Sequence, residues 1–274
     1  MAKGSVVITG AGSGIGQALA LAYAEPDRPL LLLGRSLQNL EATATLARSR
    51  GAIVRVLKVD VGDVTTLDLA ALNFSDEFGE IKVLIANAGI SHGTLARELN
   101  DRPVFAEIIT TNLLGMDNTC TAFLPYMAQG GRIAGIASVA GFRGLPGAAA
   151  YCASKAGVIA YLESLRLELR IQGIRVCCIA PGYIATPMTA ANHYPMPWLM
   201  DPDKAAQQMR RAIDRGRAWL VVPWQMGVVG MILRHLPIAL YDRLFARVAG
   251  KARKSSAQYD AETIANARIS GRDE

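Results

Sequence analysis

Seven apolar runs of strand length recur along the chain, with Ala- and Leu-rich segments between them. They are Ser5–Thr9, Leu30–Gly34, Ile53–Val59, Val83–Ala86, Gly131–Ala137, Ile174–Ala180 and Trp219–Val222. The runs are continuously apolar rather than alternating. That pattern fits strands covered on both faces, as in a parallel sheet between two helical layers. The intervening segments predict helices over Gly14–Glu25, Leu37–Arg50, Val64–Phe78, Val104–Met127 and Ala149–Gln172. Ser36 is placed to cap the second, whose register ends at Gly51. Alternation of strand and helix over the first 180 residues implies right-handed crossovers and an α/β fold, a three-layer, doubly wound parallel sheet. No repeat or low-complexity linker interrupts it. One domain over 1–274 is expected, with a changed C-terminal section: a substrate lid over 183–204, then a helical extension and polar tail over 224–274.

Composition narrows this picture. The chain has 274 residues, 51% hydrophobic and only 19% charged, with a mean hydropathy of +0.23. Such apolar content excludes a disordered chain. It also raises the question of a membrane. No window reaches the roughly 18 consecutive apolar residues of a spanning helix. The run Val228–Leu233 is cut by Arg234 and His235, and the N-terminal apolar segment is too early and too brief for a signal peptide. A cytoplasmic globular protein is expected.

The net charge of +6 is unevenly placed. Residues 201–274 hold 13 Lys and Arg against 8 Asp and Glu, whereas residues 1–200 hold 16 against 15. The body is near neutral, which argues against nucleic-acid binding. Cys120, Cys152, Cys177 and Cys178 form no C-x-x-C pair. Buried reduced thiols are expected, and no metal site.

The first chemistry lies after the first strand. Thr9 to Gly16 reads T-G-A-G-S-G-I-G, with the spacing G-x-x-x-G-x-G at Gly10, Gly14 and Gly16. Glycines at this spacing allow a tight turn and let the backbone approach a pyrophosphate, while the helix N-terminus offers free N–H groups to it. Gly10, Ser13, Gly14, Ile15 and Gly16 are therefore candidate dinucleotide contacts on a Rossmann-like sheet. At the end of the second strand, where an acid would hold a ribose 2′-hydroxyl, stand Gly34, Arg35 and Ser36. Arg35 suits a 2′-phosphate, and Ser36 adds a hydroxyl. This favours NADP(H), with NAD(H) as the alternative.

Tyr151 and Lys155 are spaced i, i+4 at the start of a long helical segment, so they share a face. A neighbouring ammonium is expected to lower the phenol pKa and make Tyr151 a general acid or base for a carbonyl–alcohol pair. Ser138, ending the fifth strand, would present its hydroxyl at the sheet edge where such folds bind ligands.

With these motifs in order, the chain resembles the short-chain dehydrogenase/reductase family, in its short single-domain branch. The matches are Thr9 to Gly16, the Asp60-Val61 pair closing strand three, Asn87-Ala88-Gly89, Asn112, Ser138, Tyr151 to Lys155, and Pro181-Gly182 to Thr186. The resemblance implies their roles. Tyr151 exchanges the proton with the substrate oxygen, and Ser138 orients that oxygen. Lys155 binds the nicotinamide ribose and tunes Tyr151. Asn112 holds a water that links Lys155 to solvent. Asp60 contacts adenine, although it is also placed to cap the next segment. Asn87 and Gly89 lie near the ribose. Thr186 and the backbone of Ile184 meet the carboxamide. A homodimer or homotetramer is also implied.

The expected activity is an NADP(H)-dependent oxidoreductase interconverting a ketone or aldehyde with an alcohol. A non-catalytic nucleotide-binding protein on the same fold, or an enzyme for a sugar or nucleotide-sugar ketone, is the alternative. Substrate choice should fall to Ser91–Arg97, Val139–Pro146 and the apolar Met188–Leu199, which carries His193. Arg143 reads as an anion anchor or a solvated side chain. Residues 224–254 read as two short helices broken at Pro237, ending in Arg247, Lys251, Arg253 and Lys254. Within Ile238–Val248 an apolar stripe of Ile238, Tyr241, Leu244, Phe245 and Val248 predicts an amphipathic helix. It is expected to pack over the substrate cleft or against another subunit, with an anionic membrane surface as the alternative. The last twenty residues are expected to fray.

Overall fold

In chain order the apolar runs become β1 (Ser5–Thr9), β2 (Pro29–Gly34), β3 (Ile53–Lys58), β4 (Ile81–Ala86), β5 (Met127–Ile136), β6 (Arg175–Pro181) and β7 (Trp219–Val222). The computed structural model describes residues 4–190, 192, 194–246 and 253. All seven strands lie parallel in one sheet, in the order β3-β2-β1-β4-β5-β6-β7. The order reverses between β1 and β4, the switch point at which ligands of such sheets bind. Val6, Ile8, Leu30 and Leu32 point to one buried layer, and Val7, Leu31, Leu33 and Leu84 to the other. Both strand faces are therefore dry, which is why the runs do not alternate.

The helices are α1 (Gly14–Tyr23), α2 (Leu37–Arg48), α3 (Val64–Phe78), α4 (Arg102–Ile109), α5 (Gly115–Phe123), α6 (Ala149–Glu168), α7 (Pro187–Ala190), α8 (Pro202–Asp214), α9 (Trp224–His235) and α10 (Ile238–Phe245). Helices α1, α2 and α8 cover one face, and α3, α5 and α6 the other. Ser36 caps α2 by accepting from the Asn39 N–H. The four cysteines are buried free thiols.

Three elements depart from the sequence-based expectation. The helix predicted over Val104–Met127 is broken by a π-helical turn at Thr110–Leu114 and ends at Phe123. There Gly115 packs so tightly on Val61 that an added Cβ would stand 2.3 Å from its Cγ2. The 3-10 turn Leu124–Tyr126 then feeds straight into β5, which begins at Met127 rather than Gly131. Helix α8 had no counterpart in the run pattern, because its buried residues, Ala205, Ala206, Met209, Ala212 and Ile213, are mostly small in a polar sequence. It is anchored by Asp201, which caps the N–H groups of Asp203 and Lys204, and by the Tyr23 hydroxyl, which donates to Asp214 at 3.0 Å.

The C-terminal section also differs. In α10 only Tyr241 of the predicted stripe is buried, while Ile238 is 74% exposed. Val248 and three of the four basic cluster residues, Arg247, Lys251 and Lys254, lie outside the described residues, as do His193 and the last twenty residues. Among the described residues no helix is long and apolar enough to cross a membrane.

Candidate active site

The site begins where β1 and β4 end side by side. Thr9 Oγ1 accepts from the backbone N–H groups of Asn87 (3.0 Å) and Ala88 (3.1 Å). Asn87 Nδ2 donates back to the carbonyls of Thr9 (2.9 Å) and Gly10 (3.2 Å). These bonds lock the two strand ends together and fix the glycine turn. Gly10 adopts φ +64° and Gly14 φ +53°, in the left-handed region that side chains disfavour. A Cβ on Gly16 would lie 2.1 Å from the Gly10 oxygen and 2.5 Å from Asn87 Nδ2. Only bare backbone fits there. Ser13 stands at the N-cap of α1, yet its side chain makes no capping bond. The first-turn N–H groups of α1 are left for an anion.

The opposite wall carries the ionisable groups. Lys155 is 4% exposed and donates from Nζ to the Ile136 carbonyl at 2.7 Å. Its Nζ lies 5.9 Å from the centroid of the Tyr151 ring, one helical turn away. Ser138 lies two residues beyond the end of β5 and caps a 3-10 turn over Val139–Gly141, accepting from the Ala140 N–H at 3.1 Å. That turn presses on α6: a Cβ on Gly141 would stand 2.8 Å from the Lys155 carbonyl. The packing brings the Ser138 hydroxyl into hydrogen bonding with the Tyr151 phenol.

Electrostatics here differ from the expected lowering of the Tyr151 pKa. Burial pushes the phenol above its ordinary value, and the Ser138 hydrogen bond offsets this only in part. The ammonium that was to lower it is itself buried and bonded to the sheet. Burial brings Lys155 down to about 8. Tyr151 is thus held as a neutral phenol, a proton donor.

All the predicted residues except Asn112 line one cleft of about 280 Å³ at the switch point. Asn112 is fully buried in the π-helical turn. Its Oδ1 accepts from the Ile90 N–H at 2.8 Å, and its Nδ2 donates to the Ile90 carbonyl and to Ser154 Oγ, both at 3.0 Å. The side chain ties the loop after β4 to α6 instead of facing the cleft.

At the far end Arg35 is 57% exposed, with Asp60 and Glu107 each 3.9 Å away. The sequence shows no acid next to Arg35, but the fold brings two. Asp60 Oδ1 accepts from the Gly62 N–H at 2.8 Å, while the cap of α3 is Asp63, which accepts from the Thr66 N–H. The segment 183–204 is pinned at its base, where Ala185 donates to the Met200 carbonyl and Met200 to the Tyr183 carbonyl, each at 2.9 Å. Thr186 reaches the glycine turn, since a Cβ on Gly14 would lie 3.2 Å from its side chain.

A family model described as short chain dehydrogenase matches residues 4–195. The chain belongs to the short-chain dehydrogenase family. It is 39% identical over 252 residues to an uncharacterized oxidoreductase of Myxococcus xanthus (strain DK1622), covering 90% of this chain and 98% of that one. It is 31% identical over 234 residues to a 3-oxoacyl-(acyl-carrier-protein) reductase of Chlamydia trachomatis, covering 84% and 94%. The crystal structure of an actinorhodin polyketide ketoreductase with NADPH superposes with a TM-score of 0.74 at 27% identity, over 83% of this chain and 99% of that one.

Some residues of this short-chain dehydrogenase's cleft escaped the motif reading. Asn39, Ile90 and Thr111 also line it, together with Met188 and Thr189 from the expected substrate segment. Thr189 Oγ1 donates to the Ile184 carbonyl and accepts from the Thr186 N–H, shaping the turn into α7. Tyr194 packs edge-on to Tyr183 at 6.2 Å, and burial pushes its phenol up to about 12. It lies within the apolar segment Met188–Leu199. Arg143 is tied to the C-terminal helices rather than left in solvent. Its Nη1 donates to the last carbonyls of α9, to Leu233 and, at 2.7 Å, to Leu236, and its guanidinium lies 4.0 Å over the Tyr241 ring.

Proposed function

We propose that the protein is an NADP(H)-dependent oxidoreductase that reduces a ketone or aldehyde to an alcohol, with Tyr151 as the proton donor. The observation that carries this reading is the convergence of Ser138, Tyr151 and Lys155 on the same cleft as the glycine turn. The glycine cradle, which a Cβ would fill, and the uncapped N-terminus of α1 suit a dinucleotide pyrophosphate. The nicotinamide, when bound, supplies the hydride.

The protein's own residues supply position and a proton. The Ser138 hydroxyl, already bonded to the Tyr151 phenol, sets the place of the substrate oxygen. Tyr151 gives its proton to that oxygen as it gains negative charge, which balances the hydride gained at carbon. Its raised pKa keeps the proton in place at neutral pH, as a proton donor requires. Lys155, one turn from Tyr151 and bonded to the Ile136 carbonyl, is the candidate partner of the nicotinamide ribose. Asn112 acts through the loop and helix that it joins, as a positioning residue. Arg35 is the candidate partner of a 2′-phosphate. Ile90, Met188 and Tyr194 favour an apolar carbonyl, in keeping with acyl and polyketide reductases among the relatives.

The test is Tyr151→Phe, assayed on a panel of apolar ketones and aldehydes by NADPH absorbance, with NADPH affinity measured in parallel. Turnover is expected to fall by about a hundredfold or more, with cofactor affinity nearly unchanged. Wild-type turnover in the variant would overturn the assignment.

A further inference from the structure

The C-terminal helices turn two different faces. The inner face closes on the body: Met226 packs against Gly182 and Gly230 against the Phe142 ring, while the Tyr241 hydroxyl donates to the Gly144 carbonyl. The outer face is equally apolar. On α9, Trp224, Val228, Met231 and Ile232 are exposed, and their i, i+4, i+7, i+8 spacing puts them on one stripe. On α10, Ile238 and Leu244 continue in the same way. Scattered exposed apolar residues are ordinary, but a contiguous stripe on one face marks an interaction surface.

Charge identifies the occupant. Residues 224–254 carry six Lys and Arg against Asp242 as their single acid, on a body close to neutral; of the six, Arg234 and Arg243 lie on the described helices, and Arg253 is paired with Asp101 and Glu98. Arg234 and Arg243 are exposed beside the stripe. A second copy would bring an equally basic face against this one. An anionic lipid surface instead takes the apolar side chains and the cations together, with Trp at the boundary between them. The helices are too short to span a bilayer, so they would lie on it.

We infer that the outer face of α9 and α10 is a docking surface for an anionic lipid bilayer. The full chain is expected to float with phosphatidylcholine vesicles containing phosphatidylserine. Binding should be lost with phosphatidylcholine alone or in high salt. Met231→Glu with Ile232→Glu should weaken binding more than about tenfold, and Arg234→Ala with Arg243→Ala about tenfold. Both double variants should keep wild-type NADPH affinity and melting temperature, since the altered side chains are exposed. If the charge pair melts early, the glutamate pair decides, and conversely. A chain that stays in solution with anionic vesicles overturns the proposal. So does vesicle binding that neither double variant changes. A concentration-dependent dimer that the glutamates dissociate, without vesicle binding, would assign the face to a second copy.

Discussion

The glycine turn and the C-terminal helices are both tight places in this protein, but they are tight for different reasons. At the turn, backbone meets backbone. Gly16 faces the Gly10 carbonyl and an Asn87 amide already bonded to two carbonyls. At the C-terminal section, backbone meets a side chain. Gly230 faces the Phe142 ring, which is only partly buried. The first arrangement allows one residue type and one geometry, and it leaves a readable motif. The second is held by contacts from Phe142, Arg143 and Gly144 to residues about ninety positions away, and it leaves none.

The largest expected effect tests the rigid half. Gly16→Ala has no neighbour that can yield, so it should cost about 3 kcal/mol or more in stability. NADPH affinity should fall on the order of a hundredfold. Urea unfolding and a fluorescence titration measure the two. Near-native values for both would mean that the turn is softer than its contacts imply.

Lys155 offers the next contrast, between a buried cation and the exposed Arg234 and Arg243 of the C-terminal helices. Its folded pKa is about 8, below the 10.5 of an ordinary lysine. Between those values the unfolded chain binds the proton and the folded chain does not, so this group's contribution to stability rises with pH. The contribution is full above the unfolded value and is lost as pH falls through the folded one. The stability gap between wild type and Lys155→Met should therefore move in favour of wild type by up to about 3 kcal/mol across that window. A gap that stays constant with pH would show that the ammonium is not buried at this cost.

How far each region could be read from sequence follows the same division. The strands were legible because their two covered faces require continuous apolar runs. The glycine turn and the Tyr151–Lys155 pair were legible because spacing alone fixes their geometry. The break at Thr110–Leu114 was hidden, since its cause is Val61 pressing on Gly115 from another element. Helix α8 was hidden because alanines cover α1 without a strong apolar stripe. The direction of the Tyr151 shift is hidden from the sequence, because spacing shows a nearby lysine but not the burial of both groups. The role of Arg143 lay wholly in its distant partners. The acids around Arg35 belong here too, coming from β3 and α4 territory far along the chain.

Those acids make the cofactor end of the rigid half a finer test. Arg35→Ala should reduce the NADPH-over-NADH preference by about tenfold to a hundredfold, through loss of a charged hydrogen bond worth about 1.5–3 kcal/mol. The ratio of kcat/KM for the two cofactors measures it. An unchanged ratio would mean that Asp60 and Glu107 already neutralise the arginine, so that the 2′ position is read elsewhere.

The smallest expected effect is the counterpart of the first. Gly230→Ala places its Cβ 2.3 Å from Phe142 Cδ2, a contact as short on paper as that at Gly16. Here the ring can rotate away, and it gives up only part of its stacking on Trp219 at 5.8 Å. Replacing a helical glycine also returns up to about 1 kcal/mol of helix propensity. The two terms nearly cancel, so the expected change in stability is within about 1 kcal/mol, with NADPH affinity unchanged. The same urea and titration measurements apply. A loss as large as that of Gly16→Ala would show that the C-terminal helices are built into the core as firmly as the glycine turn. It would also remove the distinction between a half fixed by backbone and a half fixed by adjustable side chains.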